Sequence, residues 1–347
     1  MSPYQKPAEL YDGLRLHQNE NTGGCSPRVL KALASLTAEQ VGFYPPYDAA
    51  TAACANYLGV ETDRLTLVNG LDEGIMALAV AHLQPRPDGF VPEAVIPQPA
   101  FEIFKFDTEI AGGRAVHVMP NADFSFPLEA TLEAVTPRTR AVFLTNPNNP
   151  TGVAMSKDAV RAVARAVPRE AVVFLDEAYA EFSGDTFIPD LPSFPNVIVG
   201  RTFSKAFGLA GIRIGAVTGA PATLERLRLA VPVYSVNIGA VVAVQAALGD
   251  LDYMREYVRQ AAESKAMLYE ACDRLGLRYT RSAANFVLVR AGSRVGALVA
   301  GVEQRGIYVR DRSSEPGCEG AFRVGAGLVR HTKQFISVME EVLCGVA

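Results

Sequence analysis

Lysine is scarce in this chain, and one lysine lies where a solvated lysine has little reason to be. There are seven lysines against 26 arginines. Lys205 sits in VIVGRTFSKAFGLAGIRIG (197–215), in a Gly- and hydroxyl-rich turn between apolar runs. A partly desolvated lysine has a lowered pKa and acts as a nucleophilic amine. Thr202 and Ser204 precede it, and Arg213 follows eight residues later. Upstream, the apolar run AVVFL leads into Asp176, Glu177 and Tyr179. An acid at the carboxyl end of a buried parallel strand points into the crevice where α/β proteins bind ligands. Taken alone, such an acid is more often an exposed strand end.

Two further strings carry ligand chemistry. In LTLVNGLDEGIMALAVA a strand ends at Asn69–Gly70 and a helix opens near Asp72–Glu73. Backbone N–H groups at such a helix start, with the positive end of the dipole, suit a phosphate. The string is neither a P-loop nor a GxGxxG fingerprint, which lowers the nucleotide reading. FLTNPNNPTGVAM places Asn146, Asn148, Asn149 and Thr151 in a Pro- and Asn-dense loop after a strand. Asn-Pro steps are turn formers, so by itself this is a sharp loop.

The elements that must position these residues alternate. Strand candidates cover 65–68, 94–97, 115–119, 141–146, 171–177, 197–203 and 212–219, several of them unbroken apolar runs. Such runs are expected of strands covered on both faces. Helical patterns over 73–83 and 156–167 lie between them. This predicts an α/β fold with a mainly parallel sheet and crossover helices. After about residue 240 the rhythm changes. A long helical pattern over 238–276, interrupted at Gly249–Asp250, is followed by strand candidates at 285–290, 306–311 and 321–327. The expected division is an arm over 1–35, packing with the small domain or a partner, a large domain over 36–240 and a small α+β domain over 241–347.

The 347 residues are 49% apolar and 20% charged, enough to bury a sizeable core. With 33 basic and 37 acidic residues and no basic stripe, nucleic acid is not expected as a partner. No stretch reaches the ~18 apolar residues of a membrane helix. MSPYQKPAELYDG lacks the charged and apolar regions of a signal peptide, so a cytoplasmic protein is expected. Five scattered cysteines without a CxxC pair and four distant histidines argue against a metal site and a disulfide framework.

Assembled in order, the strings resemble the fold-type-I pyridoxal-phosphate aminotransferases of class I/II, and within them the histidinol-phosphate aminotransferase branch. The matching strings are NEN (19–21), YPPYD (44–48), NGLDEGI (69–75), PAFEIF (99–104), NPNNPTG (146–152), LDEAYAEF (175–182), RTFSKAFGLAGIRIG (201–215), ANFVLVR (284–290) and FRVGAG (322–327). They span nearly the whole chain, and the 29-residue interval from Asp176 to Lys205 also fits. Two places depart from the family pattern: Thr22 replaces a proline after NEN, and LVRHT, with Arg330 and His331, replaces an acidic step after FRVGAG.

The resemblance implies pyridoxal 5'-phosphate as cofactor and Lys205 as the lysine that forms a Schiff base with it and moves the proton. It implies Asp176 as partner of the ring nitrogen, Tyr179 and Asn149 as partners of the ring oxygen, and Phe101 as the stacking ring. Thr202, Ser204 and Arg213, with the backbone at Leu71 and Asp72, would hold the phosphate. Tyr44 would reach it from a second subunit, which implies a homodimer. Arg323 would bind the anionic end of the substrates, and Arg310 and Asn237 would also face them. The implied reaction is a ping-pong transfer from an amino donor, best L-histidinol phosphate, to a 2-oxo acid, 2-oxoglutarate. The sequence leaves open an aminotransferase for aromatic or other amino acids, a phosphothreonine decarboxylase, and a silent binding protein. Retention of Lys205, Asp176 and Arg213 together weighs against the last.

Overall fold

The computed structural model describes residues 12–345. Thirteen strands order the described chain. They are β1 (Leu14–Arg15), β2 (Leu65–Val68), β3 (Glu93–Pro97), β4 (Arg114–Val118), β5 (Thr139–Thr145), β6 (Val172–Asp176), β7 (Val197–Thr202), β8 (Gly215–Gly219), β9 (Arg278–Thr280), β10 (Phe286–Arg290), β11 (Ile307–Tyr308), β12 (Arg310–Asp311) and β13 (Ala321–Gly325).

Seven strands form the central sheet, in the order β2-β8-β7-β6-β5-β3-β4. The pairings from β4 through β7 are parallel, and β8 runs antiparallel to both β7 and β2. Every residue of β5, β6 and β7 is buried, as their apolar runs require. Alternate side chains enter different cores, as the two-residue strand period dictates. Val173, Leu175, Val197 and Val199 join one cluster, while Val172, Phe174 and Ile198 join the other. The helix Lys157–Ala166 is amphipathic: Ser156 caps it by accepting from the Ala159 N–H, and Ala159, Val160, Val163 and Ala164 face inward.

A second sheet, in the order β12-β13-β10-β9, is antiparallel throughout. The long helical pattern breaks at Gly249–Asp250 into helices Ile238–Leu248 and Leu251–Arg274. The expected strand over 306–311 is instead two short strands. β11 pairs in parallel with β1, and β12 pairs with β13. The split at Val309 lets one stretch hold the arm and line the cleft. The described arm also hydrogen-bonds β13, Gly325 N to Leu16 O at 2.8 Å, and its helix Pro27–Ala34 packs on Ile238–Leu248. Thr22, the departure from the family pattern, accepts from Leu328 N at 2.9 Å and ties the arm to the end of FRVGAG.

The strand expected from residue 212 begins only at Gly215. A 3-10 turn over Ala210–Ile212 precedes it, and Arg213 follows in the left-handed region at φ 61°. Among the described residues no helix is long and apolar enough to cross a membrane, and no group of three His, Cys, Asp or Glu is placed to hold a metal.

Candidate active site

Three neighbouring parallel strands end at Thr145, Asp176 and Thr202, and these residues line a cleft of about 630 Å³. Open parallel sheets bind ligands at this carboxyl edge. Asp176 is 6% exposed and accepts from the Ala178 N–H at 2.9 Å. Burial pushes its carboxyl up to about 7, although the Ala178 hydrogen bond pulls it back. Such a group favours a ligand cation that would restore its charge. Lys205 Nζ donates to the Gln18 carbonyl at 3.0 Å. Desolvation, then the nearby Arg323 charge, pull the amine down to about 8. It therefore suits attack on a carbonyl near neutral pH.

A cation and a helix start form one wall. The helix Leu71–His82 begins after Gly70, with Leu71 and Asp72 on the cleft. Arg213 Nη2 donates to Asp72 Oδ2 at 2.9 Å, and Nη1 donates to the Ala210 carbonyl at 3.2 Å. Thr202 and Ser204 join this wall, with Ser204 N donating to Thr202 Oγ1 at 3.2 Å. First-turn N–H groups, hydroxyls and a guanidinium together suit a phosphate. Phe101 supplies an apolar face. Tyr179 is buried, accepts at its hydroxyl from Asn19 Nδ2 at 2.9 Å, and meets the Phe286 ring edge-on at 5.2 Å.

The second sheet brings further guanidinium groups to the cleft. Arg323 of β13 is 5% exposed and lies directly opposite Arg310 of β12. Its Nη1 donates to Asn149 Oδ1, and its Nη2 donates to the His17 carbonyl at 2.6 Å. Desolvation first, then Arg312, pull its pKa down to about 9. Like charges placed opposite one another destabilise a strand pair. A bound anion would relieve that cost.

Two expected residues stand apart from the cleft within one chain. Tyr44 is 74% exposed and stacks on Tyr234 at 4.1 Å. Asn237 caps the helix Ile238–Leu248, accepting from Ala240 N at 2.8 Å, and does not line the cleft. His331 also lies outside it, accepting from Arg330 Nε at 3.3 Å. Conversely, His17, Gln18 and Arg312 line the cleft and were not singled out from the sequence. Arg312 was legible only as the residue two places after Arg310 on one strand face.

An amine, a buried carboxyl and two groups of guanidinium side chains facing one cleft suit carbonyl-and-amine chemistry on anionic ligands. The family model for aminotransferase class I and II matches residues 11–334, and the chain belongs to this family. It is 35% identical to the histidinol-phosphate aminotransferase of Symbiobacterium thermophilum, over 99% of this chain and 96% of that one. It is 37% identical to histidinol-phosphate aminotransferase 1 of Cupriavidus pinatubonensis, over 95% and 88%. In structure it resembles the histidinol-phosphate aminotransferase of Sinorhizobium meliloti in complex with pyridoxal-5'-phosphate, with a TM-score of 0.89 and 28% identity over 99% and 96%. The chain is thus an aminotransferase of the pyridoxal-phosphate type, with the α/β fold expected from its sequence.

Proposed function

We propose that this enzyme moves an amino group from L-histidinol phosphate to 2-oxoglutarate. The observation that carries this reading is the pair of distinct anion sites, one at Arg213 on the central sheet and one at Arg323 and Arg310 on the second sheet. Likeness to histidinol-phosphate aminotransferases at 35% and 37% identity supports it.

Pyridoxal 5'-phosphate fits the first site. Gly70 leaves room that a side chain would fill against Arg213, and the buried Asp176 carboxyl, held up by desolvation with only the Lys205 charge opposing it from the cleft, would gain from a protonated ring nitrogen. When bound, the cofactor supplies an aldehyde and an electron-accepting ring. Arg213, Ser204, Thr202 and the first turn at Leu71–Asp72 would grip its phosphate. Asp176 would hold a proton on the ring nitrogen, Tyr179 and Asn149 would fix the ring oxygen, and Phe101 would cover the ring face. Lys205 Nζ, with a pKa near 8, both takes and returns a proton near neutral pH. Arg323 grips the distal anion of each substrate and so aligns its reacting carbon.

Phe43, Tyr44, Leu229, Val233 and Tyr234 are all more than half exposed. Clustered exposed apolar side chains mark interaction surfaces. We read the stacked Tyr44–Tyr234 pair as covered by a second copy in a cytoplasmic homodimer, which would carry Tyr44 towards the partner's cofactor phosphate. Asn237, three residues after Tyr234 in the chain, would reach the cavity only in that assembly. The same reading keeps an arm to residue 35, a cofactor domain to about 240 and a small domain beyond.

The test is a donor panel with 2-oxoglutarate, read as glutamate formed. L-Histidinol phosphate should give the highest kcat/KM. A higher value for an aromatic amino acid would replace the donor assignment.

A further inference from the structure

The distal end of the cleft holds a third guanidinium that the proposed mechanism does not use. Arg312 lies just past the end of β12, two residues after Arg310, and its N–H bonds the Ala321 carbonyl at 2.9 Å, carrying the β12–β13 register one step further. The strand period therefore places Arg310 and Arg312 on one face, beside Arg323. All three line the cleft. Arg312 is 8% exposed, and its only salt bridge among the described residues joins Nη2 to Glu315 Oε1 at 2.6 Å. The tie is short and local: Glu315 N donates to the Arg312 carbonyl at 3.0 Å, closing a turn.

The pair is only half satisfied. Arg312 Nε and Glu315 Oε2 are both buried without a hydrogen-bond partner. Arg310 makes no salt bridge among the described residues, and Arg323 bonds only neutral oxygens. A buried ion pair with unmet hydrogen-bonding groups gives little stability for its desolvation cost. Three guanidiniums around one cavity end, one of them held by a carboxylate on a turn, are better explained by a ligand with many acceptors. A phosphomonoester presents three terminal oxygens, and a carboxylate two.

Resting on the donor class proposed above, we infer that Arg312 and Glu315 form a specificity device at the distal anion site. Arg312 adds a third guanidinium for a phosphomonoester, and Glu315 occupies Arg312 until that ligand arrives. A dicarboxylate uses Arg323 and Arg310 and leaves the Arg312–Glu315 pair closed. One site thus accepts a phosphate-bearing donor and a dicarboxylate acceptor in alternate half-reactions. Burial keeps the Glu315 carboxyl above its ordinary range, which eases its release from Arg312.

The test titrates glycerol phosphate and succinate separately into cofactor-loaded enzyme by calorimetry, so that the Arg213 site is already filled. Wild type should favour the phosphomonoester. The double variant Arg312→Gln/Glu315→Gln removes both charges of the pair together, leaving neither partner buried alone, and should lower the phosphate-to-dicarboxylate affinity ratio by about 10- to 100-fold. Glu315→Gln alone should raise the ratio by about threefold or more, because it removes the competitor and keeps the guanidinium. A purely structural ion pair would move both ligands together. An unchanged ratio in the double variant, or a lower ratio in Glu315→Gln, overturns the inference. Should the double variant not fold, the sign of the Glu315→Gln effect decides. Loss of phosphate preference in the double variant, with no wild-type turnover of histidinol phosphate, would keep the device and remove that donor.

Discussion

Gly70 and Arg213 are built around each other: a Cβ on Gly70 would lie 2.2 Å from Arg213 Nη2. Gly70 adopts φ 74°, where a side chain is strained, and Arg213 itself holds φ 61°. A non-glycine residue at positive φ carries a conformational cost, and such residues gather at ligand sites. The turn thus fixes a guanidinium over the start of the helix Leu71–His82.

Gly70→Ala should therefore loosen the cofactor without touching the lysine. The expected loss is at least ~10-fold in affinity, the scale of one charge-assisted hydrogen bond. Titration of apoenzyme with pyridoxal 5'-phosphate measures it. Arg213→Lys should fall between wild type and Gly70→Ala, since a point charge replaces part of the fork. Wild-type affinity in Gly70→Ala would show that Arg213 can move away freely.

Asp176 couples function to a stability cost of opposite sign. Its folded pKa near 7 lies above the ordinary carboxylate value, chiefly through desolvation. The folded apoenzyme then binds more protons than the unfolded chain between those values, and stability falls as pH rises through that window. Above about 7 the buried charge weighs fully on the apoenzyme. Asp176→Asn should raise the apoenzyme Tm by roughly a few degrees at pH 8 and hardly at all near pH 3.5. Turnover should drop by at least ~10²-fold. Calorimetry at the two pH values and steady-state kinetics test both halves. A destabilised, active variant would contradict the assignment.

Much of this site was legible in the sequence, for a physical reason. Asp176 and Thr202 end apolar runs, and such runs place their last residues at the sheet edge whatever the loops do. Lys205 was marked by a lysine-poor chain and an apolar setting. The left-handed Arg213 was not legible, because no residue type announces it, and the strand pattern IRIGAVTG hid the 3-10 turn. The split of 306–311 was also hidden: β11 answers to β1, almost 300 residues away, and local periodicity carries no trace of that pairing. The part played by His17 and Gln18 was equally out of reach, since their backbone carbonyls, not their side chains, meet Arg323 and Lys205.

Tyr44 and Tyr234 stack at 4.1 Å on an exposed surface that also carries Phe43 and Val233. If a second copy covers this surface, a charge there should split the dimer. Phe43→Asp should sediment as a monomer at micromolar concentration and lose most activity. Tyr44→Phe should stay dimeric but hold the cofactor several-fold more weakly, by about one lost hydrogen bond. A monomeric wild type with full turnover would refute the shared site.

Lys205 makes the sharpest pH prediction. Desolvation, then Arg323, bring its amine down to about 8 from 10.5. Only the neutral amine attacks a carbonyl. The rate at which apoenzyme captures added pyridoxal 5'-phosphate should therefore climb about tenfold per pH unit below 8 and flatten above it. An unperturbed lysine would keep climbing past pH 10. Stopped-flow absorbance between pH 6 and 10 distinguishes the two. Arg323→Gln removes the neighbouring positive charge, so its plateau should begin at higher pH, while cofactor still binds through Arg213. Stability must follow the same linkage. Folded Lys205 binds fewer protons than its unfolded form between 8 and 10.5, so apoenzyme stability rises with pH through that window, and the burial cost is fully present below it. Lys205→Met should accordingly raise the apoenzyme Tm at pH 7 and abolish transamination. A capture rate that rises without a break to pH 10 would mean that the amine keeps an ordinary lysine pKa, and turnover in Lys205→Met would overturn the nucleophile assignment itself.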